Sequence, residues 1–111
     1  MLYLLLIYEN EKRFSKGYDQ AELAEYRALG SEFGGIIKGG NALQSTGTAT
    51  TVRVREGRML STDGPFAETK EQLGGFYLVD ARTREEAIAM AAKIPAARFG
   101  SIEVRPIMTF S

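Results

Sequence analysis

The first apolar segment of the chain runs without interruption from Leu2 to Tyr8. A strand that is buried on one face alternates between apolar and polar residues, whereas a strand that is covered on both faces does not. The run therefore predicts a strand with both faces buried. Helices would cover one face, and a short chain has little material left for the other, so the pattern gives a first indication of a homodimer.

The segment after residue 18 has the spacing of an amphipathic helix. Asp19 and Glu22 have the form of a capping box, which predicts that the helix begins here. Apolar side chains then recur on one face, at Leu23, Tyr26, Leu29 and Phe33. The opposite face carries Glu22, Glu25 and Arg27 and is expected in solvent. Gly34-Gly35 is expected to end the helix, because glycine readily takes the left-handed conformation after a helix C-terminus.

A second helix is predicted after Thr83, which forms a capping box with Glu86. Its buried face is expected to comprise Ala87, Ile88, Ala91 and Ile94. The small side chains on this face would let the helix pack closely on a sheet. Pro95 stops the helix, because proline has no N–H for the helical hydrogen bond.

Three further segments, Ile36 to Leu43, Phe76 to Ala81 and Ser101 to Met108, have the character of strands. Gly39-Gly40 in the first of these predicts a bulge or a close approach of two backbones. Pro106 in the last cannot donate a ladder hydrogen bond, so that strand is expected near an edge of the sheet.

Between these strands, Thr51 to Arg55 alternates strictly, and Arg58 to Thr62 follows after the two-residue turn Glu56-Gly57. This pattern predicts a β-hairpin. One of its faces is basic and carries Arg53 and Arg55, with Arg58 beside them. A solvated arginine face is the simpler interpretation, and contact with an anion at the mouth of a pocket is the alternative.

The order strand, helix, strand, hairpin, strand, helix, strand predicts an α+β fold, a ferredoxin-like split βαβ plait with an inserted β-hairpin. A chain of 111 residues is expected to form one domain over residues 1–111. Both helices would cover one face of the sheet and leave an apolar face open. A large exposed apolar face is unfavourable in a monomer, so two sheets are expected to pack face to face in a homodimer.

The composition narrows the chemistry that the chain can perform. It has no cysteine and no histidine, which removes thiolate nucleophiles and the commonest transition-metal ligands, so no metal or other cofactor is expected. Acid–base chemistry then falls to Asp, Glu, Tyr or Lys. Fourteen basic residues balance fourteen acidic ones, so neither nucleic acid nor a membrane surface is an expected partner. The apolar start is too short to cross a bilayer and lacks the features of a signal peptide, and a cytoplasmic location fits.

The most distinctive stretch is Asp63 to Gly75, which combines a turn, a run of charge and a double glycine. It is expected to form a loop that leads into the strand beginning at Phe76. Asp63 precedes Gly64-Pro65, so its carboxylate either accepts hydrogen bonds from the backbone of a turn or is held at the rim of a cleft as a catalytic base. The pattern leaves both interpretations open.

This stretch resembles the signature segment of the DGPF branch of the YciI-like (YCII-related) proteins. Tyr3 to Tyr8, Thr48 to Arg53 and Pro95 to Pro106 are also similar to that family. The resemblance covers nearly the whole chain and implies a dimeric α+β barrel. The resemblance implies an active site in which classical YciI proteins pair a histidine with an aspartate. Since this chain has no histidine, only the acidic partner carries over, at Asp63.

The resemblance implies two kinds of function. The first is a small cofactor-independent enzyme, similar to a lyase, an isomerase or a dehydrohalogenase. In that enzyme Asp63 would move a proton, and Arg53 or Arg55 would hold the developing charge. The second is a non-catalytic module that binds a small molecule or regulates transcription in association with sigma factors.

Three other residues are candidate substrate contacts. Glu68 and Lys70 belong to the charged run of the signature, where the simpler interpretation is a solvated surface. Tyr77 lies in an apolar strand, where a core position is the simpler interpretation and a pocket lining is the alternative.

Overall fold

The computed structural model describes residues 1–110. The chain folds into six strands and two α-helices: β1 (Leu2–Glu9), α1 (Gln20–Glu32), β2 (Ile37–Ala42), β3 (Thr50–Arg55), β4 (Arg58–Asp63), β5 (Gln72–Asp80), α2 (Arg84–Lys93) and β6 (Ser101–Pro106). Four of the strands form an antiparallel sheet in the order β2-β5-β1-β6. This order is that of the predicted ferredoxin-like plait, and β6 lies at an edge, as its proline indicates.

The core lies between one face of the sheet and the two helices. Tyr3, Leu5 and Ile7 alternate along β1 and are buried on this face. Leu29 of α1 and Met90 of α2 pack into the same cluster. The prediction that helices cover one face of β1 is therefore confirmed.

The other face of the sheet is also apolar. Leu4 and Leu6 of β1 lie opposite Leu78 and Phe76 of β5, and all four side chains are half-buried. Because antiparallel partners project to the same side of a sheet, these side chains form one continuous patch. Both helices pack on the opposite face, so the patch is available to a partner.

The hairpin formed by β3 and β4 is a separate two-stranded sheet. Glu56 and Gly57 both have positive φ, 52° and 74°, which is the two-residue turn that the sequence predicts. Arg55 pairs with Arg58, so these two arginines share a face with Arg53. The other face carries the exposed side chains of Val52, Val54 and Met59.

The end of the signature segment, which the sequence predicts to be a loop, belongs to strand β5. β5 begins at Gln72, which pairs with Glu9, and Gly75 pairs with Ile7. Gly74 is bulged between these pairs. A Cβ atom on Gly75 would lie 2.9 Å from the carbonyl oxygen of Asn41, so this double glycine lets β5 approach its neighbour closely.

The predicted close approach at Gly39-Gly40 is confirmed. A Cβ atom on Gly40 would lie 2.7 Å from the carbonyl oxygen of Phe76. The pairing of β2 with β5 shifts register between Ile37 and Gly39, which places a bulge beside the glycines.

The start of α1 agrees with the prediction only in part. Asp19 is the N-cap and accepts a hydrogen bond from the N–H of Ala21 at 3.0 Å. Glu22 does not complete the capping box and is not on a solvent face, since only 5% of it is exposed. It turns inward to a guanidinium instead.

The first helix ends just before Gly34-Gly35 as predicted, but the predicted conformation of Gly34 and one predicted core position of the second helix are wrong. Gly34 does not take the left-handed conformation, because positive φ values in glycine occur at Gly17, Gly57 and Gly64 among residues 1–110. A Cβ atom on Gly34 would instead lie 2.8 Å from the carbonyl oxygen of Gly30, so the need for glycine is steric. Ile88 of α2 is 44% exposed, and Met90 fills the core in its place. No helix within residues 1–110 has the length and apolar character that crossing a membrane requires.

Candidate active site

A cleft of about 730 Å³ opens between α1 and the ends of β1, β2 and β5. Its volume lies in the range of small-molecule sites in proteins. A short 3-10 turn after β1, Glu11–Phe14, forms part of one wall. Its acidic and phenolic side chains are Glu9, Glu11, Glu22, Tyr18, Tyr26 and Tyr77.

Two buried carboxylates in this cleft share one guanidinium. Nη2 of Arg13 donates to Oε2 of Glu9 at 2.9 Å and to Oε1 of Glu22 at 2.9 Å. Glu9 is 7% exposed and Glu22 is 5% exposed. Buried carboxylates need such partners, because removing a charge from water is costly. The three side chains join β1 to α1 through the 3-10 turn, and we call them the Glu9–Arg13–Glu22 cluster.

Aromatic rings hold Arg13 in place. The centre of its guanidinium lies 3.9 Å from the centroid of the Phe99 ring and 4.9 Å from that of Phe14. These contacts have cation–π geometry. Burial lowers the pKa of Arg13, but the hydrogen bonds and charges of Glu22 and Glu9 outweigh burial and raise the pKa above its usual value. Arg13 is therefore a permanent positive charge between the two carboxylates.

Two tyrosines of the cleft resist ionisation. Burial raises the pKa of Tyr26, and the negative charges of Glu9 and Glu22 raise it further. Burial also raises the pKa of Tyr77. Both phenols therefore keep their protons at neutral pH.

Of the residues that the sequence nominated, Tyr77 lines the cleft. Asp63 ends β4 opposite Thr50 and is exposed. Arg53 and Arg55 lie on the hairpin. Glu68 and Lys70 are exposed in the segment between β4 and β5. The structure thus brings one of the six nominated residues into the cleft, and the roles of all six stay predictions.

The turn at Asp63 is held by its neighbours. The N–H of Gly64 donates to the carbonyl oxygen of Ala49 at 2.7 Å, and Oγ1 of Thr51 donates to the carbonyl oxygen of Gly64 at 2.8 Å. Gly64 has a φ of 97°, which favours glycine. Within residues 1–110 the Asp63 carboxylate accepts no hydrogen bond, so the turn does not depend on it.

The end of the signature segment does reach the cleft. Gln72 and Gly74 line it. The Gln72 side chain accepts a hydrogen bond from the N–H of Glu11 at 3.1 Å and donates to the carbonyl oxygen of Thr69. The segment therefore connects the base of the hairpin to the wall of the cleft.

Sequence reasoning missed Glu9, Glu22 and Tyr26 as a group. The repeat of buried positions along α1 and β1 could have indicated them. Glu22 lies one turn before Tyr26 on the buried stripe of α1, and Glu9 continues the buried alternation of β1. Arg13 follows Glu9 by four residues and is the partner that the buried charges required.

The two helices packed on an antiparallel sheet define an α+β fold, and the cleft opens at one end of that sheet. The model of the YCII-related domain matches residues 1–111, and the chain belongs to that family. It is 38% identical to the uncharacterized protein R00369 of Rhizobium meliloti (strain 1021), over 99% of this chain and 94% of the relative.

A solved structure with a similar fold is that of 5-chloro-2-hydroxyhydroquinone dehydrochlorinase (TftG) from Burkholderia phenoliruptrix AC1100, in complex with 2,5-dihydroxybenzoquinone. The TM-score is 0.55, and the match covers 97% of this chain and 94% of that chain. The two sequences are 14% identical, so the similarity is one of fold.

Proposed function

We propose that the protein is a small cofactor-independent enzyme of the lyase type, and that the cleft is its active site. The observation that carries the proposal is the Glu9–Arg13–Glu22 cluster, because it presents two buried carboxylates to a pocket of ligand size. A fold shared with a dehydrochlorinase agrees with this reaction class but does not establish it.

The reaction needs a base and a way to hold the substrate. Glu9 or Glu22 accepts a proton from an O–H or C–H group of the substrate. The electron pair left behind forms a π bond, and the leaving group departs with the electrons of its own bond. The neutral phenols of Tyr26 and Tyr77 donate hydrogen bonds to substrate oxygen. The protonated carboxylic acid then returns its proton to water.

Chloride release from 5-chloro-2-hydroxyhydroquinone is the first test. We expect Glu9→Gln or Glu22→Gln to slow release by about 10²–10⁴-fold, the usual contribution of a general base. Glu85→Gln is the matched control, because Glu85 is exposed in the first turn of α2. Equal rates in all three variants would remove the carboxylates from the mechanism. Binding without turnover of any probe would favour the alternative function, a non-catalytic binding or regulatory module.

Asp63 is proposed as a second acidic group that serves the reaction, with Arg53, Arg55, Glu68 and Lys70 as substrate contacts. The support is its place in the signature segment, whose far end at Gln72 lines the cleft. Its exposed carboxylate has no structural hydrogen bond to lose, so a change there reports on function alone.

We also propose that two chains associate through the apolar face of the sheet. Leu4, Leu6, Phe76 and Leu78 form a patch that neither helix covers. A second copy brings an identical apolar face, and isologous pairing of this kind is the commonest route to a symmetric dimer. We propose a cytoplasmic location, which a chain without cysteine fits.

A further inference from the structure

The charged groups that line the cleft are all carboxylates. Glu9, Glu11 and Glu22 line it, and within the described part of the chain no lysine or arginine does. Arg13 lies behind two of these carboxylates and is the one cation in contact with them. The carboxylates that line the cleft outnumber the cation in contact with them, which favours a cationic ligand over an anionic one.

Glu9 and Glu22 each keep one carboxylate oxygen that can accept a hydrogen bond from a ligand. Arg13 occupies Oε2 of Glu9 and Oε1 of Glu22. Among residues 1–110, the other oxygen of each carboxylate has no hydrogen-bond partner and is not sealed from solvent. Nε of Arg13 also has no partner, but it is buried away from solvent and out of reach of a ligand. The charged groups open to the cleft are thus hydrogen-bond acceptors.

Aromatic side chains line the same cleft. The rings of Phe14 and Tyr18 are in tilted contact with their centroids 4.7 Å apart, and both line the cleft. Tyr26 and Tyr77 line it as well. Aromatic faces together with carboxylates are the usual means by which proteins bind organic cations.

We infer that the cleft takes a small organic cation, a primary ammonium or amidinium carried on an aromatic or apolar frame, with the cation at the free oxygens of Glu9 and Glu22. The inference rests on the proposed function in using the same cleft, and it adds a preference: a cationic compound binds there more tightly than a neutral one with the same frame. An anionic ring compound would place its charge against two carboxylates and is disfavoured.

Three compounds with the same 4-hydroxyphenyl frame test this inference: tyramine, which is a cation, tyrosol, which is neutral, and 3-(4-hydroxyphenyl)propanoate, which is an anion. Binding to the full chain is measured by calorimetry and by chemical-shift changes of the cleft residues. We expect tyramine to bind about ten- to a hundredfold more tightly than tyrosol, and the anion more weakly than either. Glu9→Gln and Glu22→Gln should each remove most of the preference for tyramine over tyrosol, whereas Glu85→Gln should leave that preference intact.

Equal binding of tyramine and tyrosol, or tightest binding of the anion in the same cleft, would overturn the cation assignment and leave the lyase proposal standing. Tyramine binding that survives both glutamine substitutions would also overturn it. Failure of the lyase proposal has a separate readout, the absence of chloride release, which does not depend on how tyramine binds.

Discussion

Glu9 of β1 and Glu22 of α1 bind the same nitrogen atom, Nη2 of Arg13, at equal distances of 2.9 Å. Thirteen positions separate the two glutamates in the chain, and one guanidinium brings them into a single cleft wall.

Replacing Arg13 with glutamine should destabilise the fold. The change leaves two buried carboxylates without their cation, and a buried polar group that loses its partner costs about 1–3 kcal/mol. Urea denaturation measures the free energy of unfolding. The control is Arg98→Gln, because Arg98 pairs with Glu25 on the surface and its loss should have little effect. Equal effects of the two substitutions would contradict the structural role of the cluster.

Gly100 should not tolerate a side chain. A Cβ atom there would lie 2.1 Å from the carbonyl oxygen of Tyr8, so Gly100→Ala forces the backbone apart and should cost about 1–3 kcal/mol. Gly30→Ala is the matched change, since nothing lies within 4 Å of its Cβ position. It should stabilise α1 by about 0.5–1 kcal/mol, because alanine is the better helix former. Thermal unfolding of the two variants should therefore shift in opposite directions.

Stability should fall at alkaline pH because of Tyr26 and Tyr77. Burial raises the pKa of both phenols in the folded protein, whereas an unfolded tyrosine has a pKa of about 10. Above that pH the unfolded chain releases protons that the folded chain retains, so the free energy of unfolding decreases as pH rises. Tyr26→Phe and Tyr77→Phe should each reduce this decrease. If the free energy of unfolding falls equally steeply with pH in both variants and in the parent, the alkaline loss of stability arises from other groups.

Asp63→Asn tests whether the signature aspartate is catalytic. The turn is held by Gly64 and Thr51, so the variant should keep the melting temperature of the parent. If the carboxylate acts as a base, chloride release should fall by about 10²–10⁴-fold. Full activity in the variant would leave Glu9 and Glu22 as the acidic groups of the reaction.

Light scattering should give about twice the chain mass of 12.2 kDa in dilute buffer. Leu6→Lys places a charge in the apolar patch and should produce monomers, because an unpaired buried charge opposes association. Ile88→Lys is the control, since Ile88 is exposed on the helix side of the molecule. A parent protein that stays monomeric at micromolar concentration would contradict the proposed dimer.

The sequence predicted the architecture well, because apolar residues recur at regular spacing along its strands and helices. The order of elements, the hairpin with its two-residue turn at Glu56-Gly57, the N-cap at Asp19 and the core side of β1 all follow from local patterns. The prediction that Ile88 is buried was wrong, because an apolar residue beside the buried stripe of a helix gives the same local pattern as one within the stripe.

The candidate site was harder to predict, because its residues meet through tertiary contacts. Glu22 has the spacing of a capping box, and local pattern alone favours that role over a buried ion pair. Its true partner, Arg13, lies nine residues earlier in a segment without periodicity. A distinctive motif drew attention to Asp63, whereas the cleft is lined by the end of that motif, at Gln72 and Gly74.

The Glu9–Arg13–Glu22 cluster has a consequence for how the cleft meets a ligand. Because one nitrogen serves both carboxylates, neither glutamate can rotate away without losing its partner, and stacking on Phe99 restrains the nitrogen itself. The wall is therefore preorganised: its acceptor oxygens are already fixed before anything binds. A ligand gives up its own freedom on entry, but it does not have to order the protein as well, so even a small molecule with few contacts can be held selectively.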